Sequence, residues 1–451
     1  MAAIITNKFR LHNSEQFIEA FSENAPTNMY LFIGRPKAWA NDQVPATPLD
    51  NQDSMFNIYD DMIAMKRVQS TDVTHAIVRR DWISGLTYDE YAHDYSDSYT
   101  ATSGATNLYS ALFYVMTDEY NVYKCISNNG GTASSEKPTG TGTSIIATAD
   151  GYRWKYMYSI SAADALKFLS TDFIPVKKIL SNPGVSDPYY TQYQVQQNAV
   201  AGTVEQIKLT AGGSGFTSAP TVTIIGDGTG ATATATVSGG AVDTISIGDV
   251  GSGYTQAEIT IIGDGTGATA KVVISPEGGH GLSAVEELGG FYVMMNTRLE
   301  YDDGSGDFPV NNDYRRIGLI RDPQDFGTTN VSSGSTLSAT KTITLQSSGQ
   351  SGNFDVDERI VGGTSAANAI VVDWDADNLV LKYYQDIETG FGTFQTGETI
   401  TGNTSAATGT SSALGDPEVE PDSGDILYVE HRRPINRASD QIEDIKLVVE
   451  F

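Results

Sequence analysis

The sequence predicts an α+β chain in which strands dominate: a β-sandwich-like core with a few short helices and two small inserted β-rich repeat modules. Two observations point there. Most apolar residues fall in short alternating runs bounded by Gly, Asn, Asp and Ser, the signature of half-buried strands, and few stretches show helical spacing. Two segments also recur within the chain. GSGFTSAPTVTIIGDGTGATA from Gly213 returns as GSGYTQAEITIIGDGTGATA from Gly251, and FDVDERIVGGTSAANA from Phe354 returns as FQTGETITGNTSAATG from Phe394.

In chain order, Ala3 to Lys8 reads as a strand. Asn13 then caps a helix, with Gln16 completing a capping box and Phe17 and Phe21 one turn apart on its buried face. A second helix starts near Asp53, because Met55, Ile58, Tyr59, Met62 and Ile63 follow the spacing of three and four. A third follows Ser161 and carries Leu166 and Leu169. Strands are expected at Ala76 to Val78, Leu112 to Met116, Val122 to Ile126 and Trp154 to Ile160. From Thr203 to Ile274 the segments TVTII, ATATV, DTISI, EITII and AKVVI alternate between glycine turns, with a repeat period of about 37 residues. A second module runs from Lys341 to Leu414, and joints lie near Gly278 and Pro417. The expected divisions are therefore 1–202, 203–276, 277–340, 341–415 and 416–451, with each module an insertion whose ends meet. Within the first module Gly226, Gly228, Gly263 and Gly265 should lie in turns, at least one of each pair with positive φ. At the C-terminus Ile445, Leu447, Val449 and Phe451 alternate with Lys446, Val448 and Glu450, which predicts a strand paired beside Ile4 and Ile5.

At 451 residues the chain is long enough for two or three units that bury apolar cores without covalent staples. Its single cysteine, Cys125, cannot pair within the chain, which fits folding in a reducing cytoplasm and a role as a small buried hydrophobe. The opening MAAIITNKFR lacks a signal-peptide core, and no stretch approaches the roughly 20 apolar residues of a membrane span, so neither export nor a membrane partner is expected. A formal charge of −28 and a pI near 4.4 argue against nucleic acid, whose phosphates the field repels. The pairs Arg79 and Arg80, Arg315 and Arg316, and Arg432 and Arg433 stand in acidic surroundings and read as ion-pair members. With 45 Gly, 23 Tyr and only 19% charged residues, the composition suits broad packed or interfacial surfaces.

Motifs for chemistry fail on inspection. Gly228 to Ala233 can be laid on a dinucleotide fingerprint, but a phosphate turn must open a helix, and ATATATV and the KVVI after the second copy are strands. Asp373, Asp375 and Asp377 alternate like calcium ligands, yet Asn378 replaces the turn glycine and Tyr384 the bidentate glutamate, leaving a solvated turn beside Trp374. His12, His75, His93, His280 and His431 show no paired zinc spacing, and no nucleophile elbow, zincin helix or P-loop occurs. The expectation is no catalytic, cofactor-binding or metal-binding residue and no enzymatic activity.

Several stretches in the right order resemble the T-even-type bacteriophage baseplate wedge proteins, the gene eight product family of contractile-tailed phages. They are AIITNKFR with the later FIGRPKAWAND; AIVRRDW at Ala76 to Trp82; VYKCISN at Val122 to Asn128; DGYRWKYMYSI at Asp150 to Ile160; and ILYVEHRRPINRASDQIEDIKLVVEF from Ile426 to Phe451. FPVNNDYRRIGLIRDP, from Phe308 to Pro323, is similar to a further family segment. The resemblance implies a non-enzymatic virion component, assembled in the host cytoplasm, that pairs as a homodimer and joins neighbouring wedge proteins in the tail baseplate. Both repeat modules depart from the family pattern. An alternative reading makes them a host-surface adhesion device with weak glycan contact, and a third makes the chain a carboxylate hydrolase of envelope polysaccharide, for which two carboxylates brought together would suffice.

Overall fold

A computed structural model describes residues 4–23, 27–300, 306–439 and 441–451. The chain opens with α1 (Asn7–Glu19), β1 (Met29–Gly34), α2 (Gln52–Asp60), β2 (Met62–Arg67) and β3 (Val73–Val78). Next come β4 (Tyr114–Met116), β5 (Asn121–Ser127), β6 (Ile145–Ala147), β7 (Arg153–Ser159), α3 (Ala162–Phe168), β8 (Phe173–Val176) and α4 (Tyr190–Gln197). The first repeat region holds β9 (Val204–Ser214), β10 (Thr221–Gly226), β11 (Thr229–Ser238), β12 (Ala241–Ser252), β13 (Ala257–Ile262) and β14 (Thr266–Ile274). After α5 (Ala284–Leu288) come β15 (Tyr292–Leu299), β16 (Asp313–Arg321) and β17 (Thr336–Ser338). The second region holds β18 (Lys341–Leu345), β19 (Arg359–Gly362), β20 (Asn368–Asp375), β21 (Val380–Tyr384), β22 (Thr399–Gly402) and β23 (Thr408–Gly415), and the chain closes with β24 (Asp425–Asn436) and β25 (Glu443–Glu450). With 41% strand against 11% helix, the fold is α+β and strand-dominated.

The chain divides into two compact units, Met1–Glu15 with Thr74–Met294 and Val448–Phe451, and Gln16–Val73 with Met295–Leu447. The first contains the antiparallel sheet β4-β5-β7-β6. Its strand β7 is buried on both faces: Tyr152, Trp154 and Tyr156 pack with Tyr123 and Cys125, while Met157 and Tyr158 join a second cluster around Phe113 and Val122. The second unit contains the sheet β17-β2-β1-β16-β24 and the closed barrel β18-β21-β20-β19-β22-β23. A further sheet has the order β25-β15-β3-β8.

Both repeats fold as internal pairs. In the first, β10 and β13 are antiparallel with Thr223 opposite Thr260, its own equivalent, so a local two-fold axis relates the copies. Strand β9 then pairs with β14, and β11 with β12, each ribbon joining one copy to the other. The exchange extends to side chains. Asp227 accepts from the Thr255 N–H at 2.8 Å and its hydroxyl, and the equivalent Asp264 accepts from the Thr217 N–H at 3.1 Å and its hydroxyl. The barrel repeats the device: Val361 faces its equivalent Thr401, and each glutamate caps the other copy's turn. Glu398 accepts from Thr364 N at 2.8 Å, Ser365 N at 2.8 Å, Ser365 Oγ at 2.8 Å and Gln395 N at 2.6 Å. Glu358 accepts from Thr404 N at 3.0 Å, Ser405 N at 3.0 Å, Ser405 Oγ at 2.6 Å and Asp355 N at 2.8 Å. Each region leaves its surroundings at one place. Ser275 N donates to the Thr203 carbonyl at 2.9 Å, and Glu418 N donates to the Ser338 carbonyl at 2.9 Å.

Several expectations are corrected. Ala3 lies outside the described residues, and Asn7 and Lys8 are helical, because Thr6 rather than Asn13 starts α1: its carbonyl accepts Phe9 N at 3.0 Å and Arg10 N at 3.1 Å. Phe17 and Phe21 do meet, edge to face at 5.4 Å. Helix α2, capped by Asn51 through Ser54 N at 2.9 Å, stops at Asp60, so Met62 and Ile63 belong to β2. Ser161 caps α3 as its sequence suggests, but Leu166 is exposed and the buried residues are Asp164 and Phe168. Helices α4 and α5 were not foreseen. The last strand pairs with β15, not beside Ile4 and Ile5, which are exposed; Arg10 of α1 instead donates to the Phe451 carbonyl and the Glu450 carboxylate.

The glycine expectation fails in an instructive way. Positive φ occurs at Gly230 (86°) and Gly267 (79°), not at Gly226, Gly228, Gly263 or Gly265. Gly228, Gly263 and Gly265 sit in the turns and Gly226 ends β10, and all four are held there by lack of room: a Cβ on Gly228 would lie 2.5 Å from Tyr254 Cδ2, and one on Gly265 2.5 Å from Phe216 Cδ2. An aromatic ring from one copy thus covers the bare backbone of the other. Gly228→Ala and Gly265→Ala should each destabilise the protein by about 1–3 kcal/mol through overpacking, read as a lower urea midpoint.

Burial alone pushes the Glu358 and Glu398 carboxyls up, but hydroxyl and backbone N–H donors outweigh it and hold both below the ordinary glutamate value. With the folded value below the unfolded one, the stabilisation is present above the unfolded pKa and is lost as pH falls through the folded pKa. Urea unfolding should therefore show stability decreasing below about pH 4.3. At pH 7, Glu358→Ala and Glu398→Ala should cost similar amounts, about 3 kcal/mol each, since equivalent donors lose their acceptor.

Candidate functional site

The residues singled out in the sequence do not converge. Each glycine turn of the first module runs into a strand, β11 or β14, and so lacks the helix N-terminus that a pyrophosphate would need. Asp375 accepts from Asp377 N at 3.0 Å, Asn378 N at 3.0 Å and Asn378 Nδ2 at 2.6 Å, which makes it the organiser of the β20–β21 turn, while Asp373 lies back on β20. The histidines are dispersed. His75 donates from Nδ1 to the Gly290 carbonyl at 2.8 Å, His93 accepts from Ile274 N at 3.3 Å, and His280 packs edge-on against Tyr91 at 4.9 Å. His12 is exposed, and among the described residues no three His, Cys, Asp or Glu side chains form a group suited to a metal. Cys125 is fully buried, and burial pushes its thiol well above the ordinary value.

What does converge, in the second unit, is a set of charged and aromatic side chains from β16, β24 and the segments that follow β1 and α2. At the end of β1 the pairing with β2 shifts register between Ile33 and Gly34, where the strand passes close to the Asp61 carbonyl. Arg35 follows with φ 56°, its N–H donating to that carbonyl at 2.8 Å. This left-handed step turns its guanidinium 3.8 Å over the Trp39 ring and 3.6 Å from the Asp61 carboxylate. Trp39 in turn donates its indole N–H to the Arg432 carbonyl at 2.9 Å and lies against the His431 ring at 4.3 Å.

Strand β16 supplies two consecutive arginines, which alternation sends to opposite faces. Arg315 donates to Asp42 at 3.0 Å and 3.2 Å and also pairs with Asp313. Arg316, opposite His431 in the β16–β24 register, donates to the Asp61 carboxylate and to the Asn57 carbonyl at 3.3 Å. All three, Arg315, Arg316 and Asp61, are buried. His431 donates from Nδ1 to the Ala46 carbonyl at 2.7 Å, so its Nε2 is the acceptor facing Arg316 Nε at 3.5 Å.

The electrostatics follow from burial. Desolvation pushes Asp61 up to about 6 against the pull of Arg316 and Arg35, and the same desolvation lowers Arg316 despite Asp61. Asp60 is also pushed up to about 6, by burial first and then by Asp422 and Asp61. Burial keeps His431 below its ordinary value. The cluster therefore locks strands through a desolvated ion pair and contains no nucleophile held by a base. The first unit has a comparable pair, Lys124 with Glu287, whose Oε1 also accepts from Gly281 N at 2.8 Å and Ser283 N at 3.2 Å. Of the other two arginine pairs, only one member of each is an ion-pair member as expected: Arg79 bonds Asp81 and Arg432 bonds Glu430, whereas Arg80 stacks on Tyr114 at 4.6 Å and donates to backbone carbonyls, and Arg433 donates to the Gln43 carbonyl.

Nothing local in the sequence marks Asp61, which reads there as the continuation of an amphipathic helix; its importance comes from an arginine more than two hundred residues away, and only distance in space reveals it. In comparisons with known proteins the chain matches no protein-family model and no curated protein.

Asp61→Asn should cost about 3–5 kcal/mol in urea unfolding, because Arg316 would stay buried without its counter-charge. Asp60→Asn has the opposite sign at pH 7.5. A carboxyl whose folded pKa is raised stabilises fully only below its unfolded pKa, and that contribution is lost as pH rises through about 6, so the amide removes a cost.

Proposed function

We propose that the chain is a non-enzymatic structural subunit of a contractile phage tail baseplate, pairing as a homodimer and joining neighbouring wedge proteins in the virion. The observation that carries this reading is the convergence of three stretches that resemble the wedge family. FIGRPKAWAND supplies Arg35, Trp39 and Asp42, DYRRIGL supplies Arg315 and Arg316, and VEHRRPIN supplies His431 and Arg432; they meet around β16, Arg315 on Asp42 at one face and Arg316 against His431 at the other, with the His431 ring on Trp39 and Trp39 under Arg35. Stretches so far apart in sequence would have no reason to match together unless the fold element that they build is the shared feature. The use of the buried charges also favours a scaffold, since they are spent on one another rather than aimed at a substrate.

The repeat regions fit as elaborations carried on that scaffold, each leaving and rejoining at a single hydrogen-bonded point. Their threonine-rich surfaces supply the polar groups for weak glycan contact. In light scattering the purified protein should have twice the 48.3 kDa mass of one chain, and it should co-purify with co-expressed wedge proteins of the same phage. A monomer that assembles with none of them overturns the proposal.

A further inference from the structure

A cavity of about 290 Å³ lies beside Asp61 within the second unit, lined by Arg35, Lys37, Asp61, Arg316, Tyr384 and Asp386, with the exposed Leu49 and Ile387 at its mouth. That is far more than the ~30 Å³ share of one water. Its hydrogen-bonding capacity is unbalanced. Most acceptors are taken: Asp61 by Arg316 and Arg35, Glu388 Oε2 by Lys37, and Asp386 Oδ1 by Glu388 N at 3.0 Å and Thr389 N at 2.9 Å, which leaves Asp386 Oδ2 as an open carboxylate oxygen beside three open donors. Donors are left over. Tyr384 is 4% exposed, yet its hydroxyl has no protein partner, and neither has the buried Arg35 Nε. Arg316 commits Nη1 and Nε, while its Nη2 donates to no acceptor among the described residues.

Buried donors without acceptors cost free energy that an acceptor-rich ligand recovers, and guanidinium groups suit oxyanions in particular. We propose that this cavity binds a small oxyanion, phosphate or carboxylate, through the Tyr384 hydroxyl, Arg35 Nε and Arg316 Nη2. The site is independent of the baseplate reading, because it rests on donors and volume alone. The mouth combines the apolar Leu49 and Ile387 with the exposed Glu388 carboxylate, and that charge together with the net negative field of the chain keeps the affinity modest.

Calorimetric titration of the full chain with inorganic phosphate, and separately with succinate, in chloride buffer tests this and tells the two sources apart. Saturable binding at one site per chain by either anion is expected. Tyr384→Phe keeps the ring packing and removes only the hydroxyl, so it should bind about tenfold more weakly while melting no lower than the parent. Leu49→Glu, at the exposed mouth, should weaken binding several-fold by repulsion and offers a second variant that leaves the core untouched. The inference is overturned if neither anion binds saturably, or if both variants bind as the parent does.

Discussion

A turn whose backbone N–H groups face inward must be given acceptors, and in both repeat regions the acceptor belongs to the other copy. Glu358 serves the turn at Thr404 and Ser405 while Glu398 serves the turn at Thr364 and Ser365. Asp227 and Asp264 do the same around Thr255 and Thr217. For these turns at Thr364, Thr404, Thr217 and Thr255 the acceptor comes from the other copy, so each copy is complete only as half of a pair. This reciprocity explains why the motifs occur twice and not once, and why the strands of each copy are shared out between ribbons.

The five-stranded sheet of the second unit is governed by a different rule. Consecutive arginines on a central strand must point to both faces, and both faces are buried, so each guanidinium needs a carboxylate brought from elsewhere. Asp42 and Asp61 are brought by the segment after β1 and by the end of α2. The cost of desolvating these charges fixes the positions of their partners more tightly than apolar packing would, since an unpaired guanidinium in that place is far worse than a slightly displaced leucine. The left-handed Arg35 is held by the same arrangement.

Between these constraints sits the cavity beside Tyr384. A structure that satisfies almost every buried carboxylate yet leaves neighbouring donors open is asymmetric in its chemistry, and that asymmetry favours a ligand rich in acceptors. The first unit shows what the satisfied alternative looks like: Lys124 and Glu287 consume each other, and backbone N–H groups fill the remaining glutamate positions.

Strand periods and repeats were legible in the sequence because they depend on local alternation: TVTII, DTISI and AKVVI all lie in strands, and Ser161 and the region of Asp53 begin helices as their neighbours dictate. The sequence by itself therefore determined the strand-rich class, the two repeat regions and most strand positions. It did not determine where α1 begins, why Gly228 and Gly265 are glycine, which strand receives β25, or that Arg316 and Tyr384 share a cavity with Asp61. Each of these turns on a partner distant in the chain: Arg10 holding the last residue, Tyr254 and Phe216 pressing on bare backbone, and a buried guanidinium seeking a carboxylate. Local propensity cannot encode such pairings, because their energy arises only when two remote segments are desolvated against each other.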